Sequence, residues 1–69
     1  MNRELLAMSG RLLYGHRWQA TMARVLGVSR RTMVNWAKGA GGPGAPHVTE
    51  IKRALATRRN SIEMLLRKL

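Results

Sequence analysis

Apolar positions along this chain recur at intervals of three and four, and nowhere do they alternate with polar ones over the length of a strand. In residues 3 to 14, RELLAMSGRLLY, Leu5, Leu6, Met8, Leu12 and Leu13 fall at helical spacing, with Asn2 placed to cap the helix and Gly15 to stop it. Gly10 weakens that helix by roughly 1 kcal/mol relative to alanine, so it must rely on packing. A second helix is expected over about residues 17 to 26 and a third over 30 to 38, with Gly39 just beyond its end. Residues 39 to 46, GAGGPGAP, hold four of the seven glycines and both prolines, and read as a loop. In residues 47 to 69, Val48, Leu55, Ile62 and Leu69 stand seven apart, with Ile51 and Leu65 between them and Arg58 as the one break. This predicts one helix that packs on the domain with its first half and on another subunit with its second. The alternative is two helices, since Asn60 and Glu63 have the form of a capping pair. The expected fold is a single all-α domain over residues 1 to 69, a compact bundle of four helices, or five if the last segment divides.

The most specific pattern lies in residues 19 to 38. Ala23 and Gly27 are four apart, so a small side chain lies on the inner face of one helix and a glycine ends that helix where φ is positive. Ser29 then precedes RRTMVNW, with an oxygen able to accept from a free N–H of a new helix. Two helices joined by about three residues follow. Met22, Leu26, Val28, Met33 and Trp36 fall at the positions such a pair buries, leaving Arg30, Arg31, Thr32, Val34 and Asn35 to point outward. Both Trp18 and Trp36 read as core, because a tryptophan supplies a large buried area in a small domain.

The string GxRWQxxxARxLGVSxRTxxxW in residues 15 to 36 resembles the helix-turn-helix of the Cro and phage-repressor superfamily, and the small regulators of phages and mobile elements, the anti-CRISPR-associated repressors among them. The likeness covers residues 19 to 38 well and the remainder only in general plan. It implies that the helix after the turn enters the major groove of DNA, where Arg30 and Arg31 in its first turn can bind guanine O6 and N7, Asn35 can pair with adenine, and Val34 can meet a thymine methyl. The same resemblance places Gln19, at the start of the preceding helix, against the phosphate backbone, with Arg17, Ser29, Thr32 and Lys38 as further phosphate partners.

Charge agrees with that assignment without proving it. Thirteen Lys and Arg against three acidic residues give a net charge of +10, and Glu4 and Glu50 bracket 45 residues without a carboxylate. Such a field attracts polyanions but does not distinguish DNA from RNA or an anionic membrane. Absence of cysteine excludes disulfides and thiolate metal sites, and His16 and His47 share no ligand spacing, so no metal or other cofactor is expected and both are read as solvated or near phosphate. Three isolated carboxylates and no glycine-rich loop leading into GKS or GKT leave no catalytic constellation, so no enzyme activity is expected. Nor is there a signal-peptide pattern or an apolar run of about 18 residues, which predicts a cytoplasmic protein drawn to the nucleoid by its operator.

These readings combine into a sequence-specific transcriptional repressor that binds an inverted-repeat operator as a homodimer and regulates its own promoter. A chain this short has no room for a ligand domain, so no small-molecule effector is expected. Ile62, Leu65, Leu66 and Leu69 are the candidate dimer interface. Two rivals stand beside this reading: a basic nucleic-acid-coating protein without sequence preference, and an antitoxin-like or scaffold module whose C-terminal helix captures a partner.

Overall fold

The computed structural model describes all 69 residues as four helices and no strand: α1 (Arg3–Tyr14), α2 (Trp18–Leu26), α3 (Arg30–Ala37) and α4 (Ala45–Lys68). α1 begins where the Asn2 side chain accepts from the Leu5 N–H at 2.9 Å and ends at Gly15, whose N–H donates to Arg11 O. α2 and α3 each close with the same arrangement. At the end of α2, Val28 N–H donates to Ala23 O and Gly27 N–H to Arg24 O; at the end of α3, Ala40 N–H donates to Asn35 O and Gly39 N–H to Trp36 O. This paired return needs a residue at positive φ, and Gly27 (71°) and Gly39 (94°) supply it.

The core consists of Leu6 and Leu13 of α1, Trp18, Met22, Ala23 and Leu26 of α2, Met33 of α3 and Ile51 of α4. α1 is its hub and packs against the other three helices, while α2 and α3 pack on each other. Gly10, the expected weak point of α1, is buried under the indole of Trp18: a methyl group there would overlap Trp18 Cε3 and Cδ2. The glycine that costs helix propensity is thus what lets α2 cross close to α1.

α4 starts beside the chain's N-terminus, where a Cβ on Gly42 would lie 3.4 Å from the Met1 carbonyl oxygen, and runs in the same direction as α1. Arg58 interrupts the apolar stripe for a reason that lies outside its own helix. Its guanidinium donates to Leu13 O at 2.7 Å and Leu12 O at 3.4 Å, two carbonyls that the end of α1 leaves without helical partners. Arg3 does the same for α3, donating from Nη1 to Lys38 O at 3.2 Å. α4 is 24 residues long, about 36 Å at 1.5 Å per residue, and its residues from 57 onward are all exposed, so its second half overhangs the bundle and draws the molecule out to 42 × 24 × 20 Å.

The structure decides one alternative and corrects three expectations. Helix α4 is continuous through Asn60 and Glu63, as the heptad spacing predicts, so the division into two helices does not occur. The loop is shorter than residues 39 to 46, because α4 already begins at Ala45; Pro46 in its first turn loses no hydrogen bond, since the first N–H groups of a helix have no partner inside it. Trp36 sits at the edge of the core rather than within it, half-buried and tilted at 52° against the His47 ring with centroids 5.5 Å apart, so His47 is packed on an aromatic ring rather than solvated. His16 is exposed, as expected.

The Trp18–Gly10 contact predicts an inverted response to a helix-favouring substitution. Gly10→Ala should gain roughly 1 kcal/mol of helix propensity but lose about 3 kcal/mol to overpacking. At about 4–8 °C per kcal/mol for a domain of this size, the melting temperature should fall by roughly 10 °C in a thermal denaturation followed by circular dichroism. A rise would show that the indole does not rest on this glycine.

Candidate nucleic-acid interface

α3 is short, and its placement depends on its two ends. Ser29 Oγ accepts from the Thr32 N–H at 3.0 Å and donates its own proton to Thr32 Oγ1 at 2.9 Å. The Ser29 proton is therefore used within the cap of α3, whereas the Thr32 hydroxyl keeps a proton to donate outward. At the other end, the Arg3 bond to Lys38 O ties the helix to α1. From behind, Met33 is fully buried and holds α3 against α1 and α2.

With Met33 pointing inward, steps of about 100° per residue put Arg31, Asn35 and Lys38 on the opposite, outward side of α3. All three are exposed. Val34 and Thr32 flank that face, one on each side, and both are half-buried. Arg30 departs from the sequence-based grouping. It is exposed, but it leans toward the start of α2, where it lines a crevice of about 360 Å³ together with Arg17, Gln19 and Ala20.

The nine candidate residues thus form two neighbouring groups. Arg31, Asn35, Lys38 and Val34 make a face with one planar cation, one amide, one ammonium and one small apolar side chain. Arg17, Gln19 and Arg30 make a cationic notch with an amide donor at the N-terminal ends of two helices, where unpaired N–H groups add positive potential. Ser29 and Thr32 stand between them as the capped first turn of α3. Neither α2 nor α3 carries a carboxylate to offset this charge: Glu4 is on α1, and Glu50 and Glu63 are on α4. No group of three or more metal-ligating side chains comes together anywhere in the chain, and no helix is long and apolar enough to cross a membrane.

Ile62, Leu65 and Leu66 lie on the overhanging half of α4, Leu69 follows its last residue, and all four are exposed. Sequence reading missed a second apolar surface. Leu5, Met8 and Leu12 of α1 stand outside the core, half-exposed or more, and line a groove of about 610 Å³ with Leu55 of α4. The signal was present as spacing: Leu6, Gly10 and Leu13 form one stripe of α1 and Leu5, Met8 and Leu12 a second one beside it, so a single neighbouring helix cannot cover both. Compared with family models, curated proteins and solved structures, the chain matches none of them.

The cap geometry yields a test independent of any ligand. Ser29→Ala should cost about 1 kcal/mol of stability, while Ser29→Asp, which retains an acceptor in place, should cost little. Chemical denaturation of the two variants measures both. Equal losses would mean that the oxygen is not what starts α3.

Proposed function

We propose that this chain is a sequence-specific DNA-binding regulator in which α2, the turn at Gly27 to Ser29 and α3 act as a helix-turn-helix. The observation that carries this reading is the division of the cationic surface. One helix face combines Arg31 and Asn35, the two side-chain types that bind purine edges bidentately in the major groove. A separate notch at Arg17, Gln19 and Arg30 suits a phosphate group, which fixes register without reading sequence. In this assignment Arg30 belongs with the phosphate partners rather than with the base-reading residues. Thr32 and Lys38 can each donate to the backbone on the flanks of α3, and Val34 is positioned for a thymine methyl. Ser29 contributes through the cap it forms rather than through its hydroxyl proton.

One short helix covers about half a turn of groove, so the reading includes a two-fold pair of chains on an inverted repeat, with half-sites about 10 base pairs apart centre to centre. Occupancy of such a site near a promoter represses by excluding polymerase, and a site at the chain's own promoter makes the control autoregulatory. Non-specific coating of single strands is less well supported. Trp18 is buried and Tyr14 and Trp36 are half-buried, which leaves no aromatic platform on which bases could stack. The partner-capturing alternative draws on one specific observation, the exposed apolar half of α4.

Selection of bound duplexes from a random pool tests the reading, and an inverted repeat should emerge; a pool that stays random would contradict it. On the selected site, Arg31→Ala should lose about 1 to 3 kcal/mol of discrimination while binding to unrelated duplex changes little. Gln19→Ala and Arg30→Ala should instead weaken specific and unrelated binding together, and Arg30→Ala should also make the logarithm of affinity fall less steeply with salt, by about one unit of slope. Loss of discrimination on Arg30→Ala would return that residue to the base-reading group.

A further inference from the structure

The chain carries two apolar surfaces that nothing within it covers. One is the groove between α1 and α4, with Leu5, Met8, Leu12 and Leu55 on its walls. The other is the overhanging end of α4, where Leu65 is 58%, Leu66 67% and Leu69 94% exposed. Around the axis of α4, Leu55, Ile62 and Leu66 fall on the same side, so the groove and the overhang face the same way, with Arg58 and Arg59 between them. We propose that in the two-fold pair these surfaces are closed reciprocally: the Ile62–Leu69 end of α4 from each copy lies in the α1–α4 groove of the other. The inference rests on the pairing in the function proposed above and specifies how that pairing is made.

Three observations favour a second copy as the occupant. Seven side chains, three on α1 and four on the overhang, leave roughly 100 Å² apiece exposed, so each copy offers about 700 Å², close to the roughly 800 Å² that one partner gives a stable interface. The overhang alone supplies barely half of that. The two surfaces also complement each other, since Leu5 to Leu12 make a concave apolar strip about two helical turns long and Ile62 to Leu69 a convex apolar stripe of the same length. Antiparallel crossing of the two α4 helices near Asn60 then sets Leu66 of one copy against Leu55 of the other and satisfies both ends at once, as a two-fold axis requires. Finally, Glu4 and Glu50 pair with Arg3 and Arg53 inside the chain, whereas Glu63, beside the overhang stripe, has no partner, and the same crossing brings it beside Arg58 and Arg59 of the other copy.

The chain has no cysteine, which makes the arrangement accessible to crosslinking. Leu55 and Leu66 are 11 residues apart on one helix, about 16 Å along its axis, too far for a disulfide within a copy, which needs Cα atoms within about 7 Å. Chains carrying Leu55→Cys and chains carrying Leu66→Cys are mixed without DNA and oxidised, and the mass of the unmodified full chain is measured by light scattering. The expected result is a dimer, a disulfide in most of the mixed sample, and no self-linking of Leu66→Cys alone. Met8→Cys, on a well-exposed groove residue, replaces Leu55→Cys if circular dichroism shows that variant to have lost helix. A dimer in which Leu66→Cys links readily to itself would overturn the reciprocal arrangement and leave the pairing intact, since the overhangs would then meet each other directly. A monomer at every concentration would overturn both the arrangement and the pairing, and leave the reading of DNA by α3 to the duplex selection.

Discussion

The indole of Trp18 against the backbone of Gly10 is the contact on which the rest of the structure depends. It sets how close α2 comes to α1, and α3 is carried by both. With eight apolar side chains in the core, a chain of this size has few contacts to spare, and each fully buried one is worth roughly 1.5 to 3 kcal/mol. A wider crossing would part Met22 and Ala23 from Leu6 and Leu13 and unseat Met33 beneath α3. The orientation of Arg31, Asn35 and Lys38 therefore depends on a glycine and a tryptophan that touch none of them.

The small core also explains the two long-range arginine bonds. Helix ends leave carbonyls unpaired, and in a short chain those ends are a large fraction of the backbone. Arg58 satisfies the end of α1 from α4, and Arg3 satisfies the end of α3 from α1. Two of the thirteen cationic side chains are thus committed to holding helices together, which accounts for part of the positive charge without any polyanion. Of the other eleven, five (Arg17, Arg24, Arg30, Arg31 and Lys38) lie on or beside α2 and α3, where no carboxylate opposes them, and five lie on α4, which also carries Glu50 and Glu63.

How far the fold could be read in advance varied with the range of the interactions concerned. The spacing of Ala23 and Gly27 and the placing of Ser29 predicted α2, its turn and the start of α3, because the cap and the left-handed glycine are local and their partners lie within five residues. Gly10 was correctly read as a propensity cost, but the indole that justifies it comes from another helix. Arg58 looked like a flaw in a heptad because its acceptors are 45 and 46 residues away in sequence. Arg30 shared a turn with Arg31 in the sequence; the inward direction of Met33, a property of the packed molecule, separated the two. The second stripe of α1 was visible as spacing, yet which of its two stripes faces the core is decided by the helices around it.

In the proposed function, α3 and the start of α2 form the nucleic-acid surface. Backbone amide and arginine side-chain NMR shifts, followed as the full chain is titrated with a selected duplex, test this most directly. The predicted result is that perturbations concentrate on residues 29 to 38 and on Arg17 and Gln19, with Arg31 Nε among the largest, while Lys52, Arg53 and Arg59 change little. Perturbations centred on those α4 residues, with α3 unmoved, would contradict the account.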